Sequence, residues 1–292
     1  MPTIYQVRKV SDEGSSSPFI ARLFMGLIHF RDQLYLIGMP EQEKRAAHDA
    51  FDRDFKPMFE AAQATRDAAL EVARLAVSHT QRVQSGQAVT IRPSQYDILE
   101  SVDIPLGQAF DKLIDQAIIA TKSGLQTLLR DVLSLDIGFF FSKDQAFAEG
   151  IEQLRASGES QLADYLEEAR SRWHSDLQDL RAKHEHEGWT LQGVSYSLIA
   201  QGKVSVQLPA VLGYRVDEYA RLTANRVLLF TEDLVLYAMV RQVTRLGYPI
   251  YLTEIPPAKR NPSDPQRFRL AARGLDNGPP WTLRYADGAD FA

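Results

Sequence analysis

Apolar residues in the middle of the chain recur at intervals of three and four. Leu162, Leu166, Ala169, Trp173, Leu177 and Leu180 set one stripe along a helix predicted over Glu159 to Trp189. His184 takes the next stripe position, within Leu180-Arg181-Ala182-Lys183-His184-Glu185-His186-Glu187-Gly188-Trp189, and Gly188 is suited to cap the helix. A core helix whose stripe turns from leucine to histidine at its end is the strongest pointer to chemistry in this chain.

The flanking segments carry the same period. Pro18 to Gly38 is apolar on nearly all sides and predicts a buried helix, ended by Met39-Pro40. Glu41 to Gln84 predicts a long helix lined by Phe51, Phe55, Phe59, Ala62, Ala69, Ala73 and Val77, which Pro57 is expected to kink or divide. Ser85 to Asp103 predicts a connection with a strand at Val89-Thr90-Ile91. Asp103 is the expected N-cap of a helix reaching Leu135, with Pro105 in its first turn. Asp136 to Lys143 predicts a hydrophobic corner, Asp144 to Ala156 a shorter helix, and Asp217 to Gly247 another long buried one. Strands are predicted at Thr3 to Val10, Lys203 to Leu208, Ile250 to Ile255, Arg267 to Ala272 and Trp281 to Tyr285. The tail from Tyr248 holds 7 of the 14 prolines, so no long helix fits there.

The fold class that follows is mostly α, with a small β element from the C-terminal third. Three consecutive segments are expected: residues 1–103 as an N-terminal helical region, 104–247 as a helical core, and 248–292 as a Pro-rich β tail packed on that core. A hydrophobic fraction of 45% and a charged fraction of 24% are those of an ordinary globular protein. The absence of cysteine excludes disulfides, thiolate catalysis and Cys-ligated zinc, and fits a cytoplasmic setting. The most apolar window, Pro18 to Ile37, is interrupted by Arg22, His29, Arg31 and Asp32, so no membrane span is expected.

A net charge of −5 argues against a surface coated in basic residues, although Arg241 to Arg273 carries seven basic residues against Glu254 and Asp264. That stretch is expected as a solvated basic face, with polyanion binding as the alternative. Glycine-loop nucleotide motifs, Gly-x-Ser-x-Gly and His-Glu-x-x-His do not occur. No cofactor is therefore expected, and the candidate chemistry falls to Arg181 and His186, with His184, Glu185, Glu232 and Asp233 in support.

Arg181-Ala-Lys-His-Glu-His186 at the end of a long helix resembles the HEPN superfamily, whose ribonuclease members carry Arg-x(4–6)-His. The likeness covers roughly Ile104 to Gly247 and implies a multi-helix bundle. It also implies a metal-independent endoribonuclease of toxin or phage-defence type, acting as a homodimer, with RNA or a nucleotide as ligand and a protein partner such as an antitoxin. The chain departs from the family pattern at Ala182, where ribonucleases of the family carry Asn, Asp or His. Two more pairs share the spacing, Arg22 with His29 and Arg74 with His79, both in apolar or alanine-rich helix.

An Arg–His pair suffices for RNA cleavage without metal. Imidazole can take the ribose 2′-hydroxyl proton or give one to the leaving oxygen, and a guanidinium fork braces charge on the phosphoryl oxygens. Residues five apart on a helix lie about 140° apart, so a joint site requires unwinding near Gly188 or a second subunit. The same residues allow other readings. His184, Glu185, His186 and Glu187, with His174 upstream, form a metal-ligand alternative, and a salt-bridged helix end within an interaction scaffold is the plainest one. Glu232 and Asp233 interrupt an apolar helix and need cationic partners, for which Arg181 or Arg130 are expected. Trp173, Trp189 and Tyr196 are expected in packing rather than as a base-stacking platform.

Overall fold

A computed structural model describes residues 14–92, 95–135, 144–199, 203–272 and 278–287. The chain is mostly α, with short antiparallel strand pairs. Residues 20–35 form α1, in which an α-helical turn at Leu27–Phe30 lies between wider π turns at Ile20–Gly26 and Arg31–Tyr35. α2 spans Glu41–Gln84 and passes through Pro57 without ending. Phe55, Met58 and Phe59 on either side are buried, and that packing outweighs the missing N–H.

α3 (Asp103–Gln126) continues in π turns at Thr127–Val132. α4 (Asp144–Ala156) precedes α5 (Ser160–Ala169), the π turns Arg170–His174 and α6 (Ser175–Glu187), which together make up the helix expected over Glu159 to Trp189. α7 spans Val216–Leu246. Asp103 does not cap α3. Its carboxylate instead accepts the Val194 N–H at 2.7 Å and the Ser101 hydroxyl at 2.8 Å, tying the segment after α6 to the start of α3.

Among the described residues every sheet has two strands. β1 (Val89–Arg92) pairs with β2 (Gln95–Ile98), and β3 (Ser195–Ile199) with β4 (Lys203–Gln207) in the register Tyr196 opposite Val206. β5 (Ala210–Val211) pairs with β6 (Tyr214–Arg215), and β7 (Ile250–Glu254) with β8 (Phe268–Ala272). The strand expected at Trp281 to Tyr285 does not form; only the Trp281 N–H reaches the sheet, donating to the Leu252 carbonyl. The predicted strand Thr3 to Val10 and the corner Asp136 to Lys143 lie outside the described residues. No helix among the described residues is long and apolar enough to cross a membrane.

Two compact units arise, each from separate stretches of chain: Met1–Asp52 with Glu232–Thr282, and Arg53–Thr231 with Leu283–Ala292. The sequence predicts three consecutive segments, whereas here most of the Pro-rich tail joins α1 in the first unit. That unit encloses Leu23, Leu27, Phe30, Leu236, Met239, Leu252 and Phe268, with Trp281 edge-on to Phe268. In the second, Tyr165 and Trp173 pack on Phe230 at ring separations of 5.9 and 6.2 Å, and Phe110 meets Tyr219 and Trp189. The stripe residues Leu162, Trp173 and Leu177 are all buried, as their spacing requires. A Trp173→Ala variant is expected to lose about 3–5 kcal/mol of stability in urea unfolding, because the space it vacates against Phe230 cannot fully close.

Candidate functional site

α6 loses its apolar contacts before it ends. Leu177 and Leu180 are its last buried side chains, and residues 182 to 188 are all exposed. Gly188 adopts a left-handed φ of 65°, which lets the Trp189 N–H turn back to the Lys183 carbonyl at 3.1 Å. The helix stays regular through Glu187, so Arg181 and His186 keep a separation of about 140° and do not share a face within one chain.

Arg181 and His184 face α3 instead. Arg181 Nε donates to Glu185 at 2.8 Å and lies 4.0 Å from Asp115. His184 Nδ1 lies 3.2 Å from the Trp189 carbonyl and 3.5 Å from Asp111 Oδ1. A carbonyl oxygen only accepts, so Nδ1 carries the proton. Burial pushes the Asp111 carboxyl above its ordinary range, and neighbouring Asp115 adds to the rise while His184 opposes it. Glu185 is occupied by Arg181, and His186 stands exposed.

His174 is not available as a metal ligand. It is fully buried, with Nε2 3.3 Å from the Thr121 hydroxyl, whose own proton goes to the Ala117 and Ile118 carbonyls. Burial, helped by Arg170, drives its pKa down to about 3, so the ring is neutral. Among the described residues no three His, Asp or Glu side chains converge as they would around a metal ion. His79, at the matching Arg–His spacing, is buried and shares a 2.7 Å hydrogen bond with the Tyr196 hydroxyl.

Glu232 and Asp233 have recorded partners other than the Arg181 and Arg130 expected of them. Their partners come from α1 and from the residue before β8. Arg22 Nε donates to both Glu232 oxygens at 3.1 Å. Arg267 Nη1 donates to Asp233 at 2.6 Å and to Glu232 at 3.4 Å, while its Nε donates to Glu254 at 2.9 Å. Arg260, also from the basic stretch, is 3.5 Å from Glu254, so part of the predicted basic face is used in the interior. The Arg267 side chain is 1% exposed. Burial opposes its charge, yet Asp233, Glu232 and Glu254 together raise its pKa. Burial likewise pushes Glu232 up, but Arg22 and then Arg267 hold it below the ordinary carboxylate range. Asp233 is pushed up to about 6 by burial, with Glu232 adding to the rise against Arg267. No sequence signal named Arg22 and Arg267 as partners, because both are distant in the chain and lie in segments of different type.

The first unit also holds a cleft of about 780 Å³ lined by Gln33, Leu36, Lys44, Arg45, His48 and Ile250, among others. Its charges are largely matched: Lys44 pairs with Glu41 at 3.2 Å, and His48 faces Asp52 and Asp49 at 3.7 and 3.8 Å.

The ion cluster sets a stability test. Glu232→Gln is expected to cost about 3–5 kcal/mol in denaturant unfolding, because Arg22 is left buried against a neutral partner. Asp233→Asn is expected to cost less at pH 7, since ionised Asp233 is there above its folded pKa. A raised folded pKa favours the fold below the unfolded value and loses that contribution as pH rises through about 6. The stability gap between wild type and Asp233→Asn should therefore narrow from pH 4 to pH 7, and a constant gap would contradict the assignment. No protein family, curated protein or solved structure was found to match the chain, so its own residues carry the functional argument.

Proposed function

We propose that the end of α6 is the working surface of a HEPN-like, cytoplasmic protein that cleaves RNA without a metal ion. The observation that carries this reading is a half-exposed guanidinium and two exposed imidazoles on one regular, capped helix end. Imidazole moves the protons of a transesterification, and Arg181 braces the charge that grows on the phosphoryl oxygens. A homodimer and a protein partner of antitoxin type belong to the same proposal, and both rest on the sequence resemblance.

One observation favours the alternative, a helical interaction scaffold without catalysis. Arg181 is already engaged by Glu185 and faces Asp115, so acidic groups surround the one guanidinium a phosphate would need. Phosphate has to compete with both carboxylates.

Cleavage of structured and unstructured RNA in excess chelator decides between the two, with sedimentation of the same samples to give the assembly state. The nuclease reading expects chelator-insensitive cleavage by a dimer and a loss of about a hundredfold or more in Arg181→Ala. His79→Ala, with matched spacing but a packing role, should keep full activity. An assembled dimer that leaves both RNAs intact supports the scaffold.

A further inference from the structure

The spacing that draws attention to His186 is not the one that shares a helix face. Residues three apart on an α-helix are separated by about 60° and have Cβ atoms about 5–6 Å apart. Arg181 and His184 stand in that relation, whereas Arg181 and His186 do not. Both members of the closer pair also face the same neighbour, since Asp115 and Asp111 are one turn apart on α3.

His184 differs from His186 in a second respect. Its ring is oriented by two acceptors on the same nitrogen, the Trp189 carbonyl and the Asp111 carboxylate. With the proton fixed on Nδ1, the lone pair is on Nε2, which meets no protein partner among the described residues. The side chain is 41% exposed, which leaves Nε2 open to an incoming group. A carboxylate behind an imidazole also stabilises the imidazolium that forms when the other nitrogen takes a proton. Among the described residues no such orienting contact to His186 is seen.

From this geometry we infer that His184, positioned by Asp111 and paired with Arg181, is the general base of this helix end. The inference rests on the RNA-cleaving reading and names the residue that performs its proton transfer. His184 Nε2 takes the proton of a ribose 2′-hydroxyl, and the 2′-oxygen forms a bond to phosphorus. The bond from phosphorus to the 5′-oxygen breaks, that oxygen takes a proton from water, and the products are a 2′,3′-cyclic phosphate and a 5′-hydroxyl. Arg181 leaves Glu185 to brace the non-bridging oxygens. Asp111 touches no substrate and acts through the ring.

Three variants of the full chain test this: His184→Asn, His186→Ala and Asp111→Asn. The asparagine amide can take the place of Nδ1 toward Trp189 and Asp111, so His184→Asn should keep the wild-type thermal transition while removing the base. Cleavage by His184→Asn is expected to fall about a hundredfold or more, and by at least tenfold more than in His186→Ala. Asp111→Asn should lower kcat with little change in KM. Nitrogen-15 NMR of the wild type should show the Nδ1–H tautomer of His184 at neutral pH, which a purely structural contact with RNA would not require. A His184→Asn protein that cuts as fast as wild type, or an Nε2–H tautomer, overturns the inference while the nuclease reading stands. A wild type that cuts no RNA overturns both.

Discussion

Removing a guanidinium from water is among the costliest things a fold can do, and the first unit does so at Arg267. The penalty is met only if carboxylates arrive from several directions, and here they come from α7 and from β7. Arg22 on α1 then answers the acid that Arg267 shares. A slip of α7 by one residue would turn Glu232 and Asp233 by about 100° and take their carboxylates away from Arg22 and Arg267. The apolar helix is interrupted by acids at the point where its register must be fixed. The cation–π contact of Arg267 over the Phe268 ring at 4.7 Å joins this polar set to the apolar layer that includes Trp281.

Much of the helical architecture was legible in the sequence because period alone sets it. The stripe from Leu162 to Leu180, the Gly188 cap and the limits of α2, α4 and α7 all follow from local pattern. Pairing across long separations was not legible. Arg22 and Glu232 are 210 residues apart, and nothing local to either names the other. Asp103 has the right residue type for a cap, but a competing backbone donor at Val194 claims its carboxylate. Among the described residues, four of the eight strands fall where alternation marked no strand. β2, β5 and β6 are four residues or fewer, which leaves a period of two little room, and β3 stands out only as the partner of β4.

The candidate site was legible in place but not in geometry. The change from leucine to histidine located the end of α6 correctly as exposed and polar. Which side chains act together depends on α3, and the sequence does not show that Asp111 and Asp115 lie opposite His184 and Arg181. A motif defined by spacing along one helix is silent about the acids on the next one.

The two-stranded sheets have a consequence for how the chain breathes. An isolated hairpin is marginal in water, and every described strand here has one edge without a strand beside it. β3 and β4 persist because Val204 sinks into a small apolar cluster with Val83, Ala88 and Val89, and because the Tyr96 hydroxyl holds the Tyr196 carbonyl at 2.8 Å. Their amide protection is therefore borrowed from the end of α2. Hydrogen exchange in that hairpin should follow the fraying of a helix more than one hundred residues earlier in the chain, and a loosening at Val83 would be felt first as an unzipping of strands.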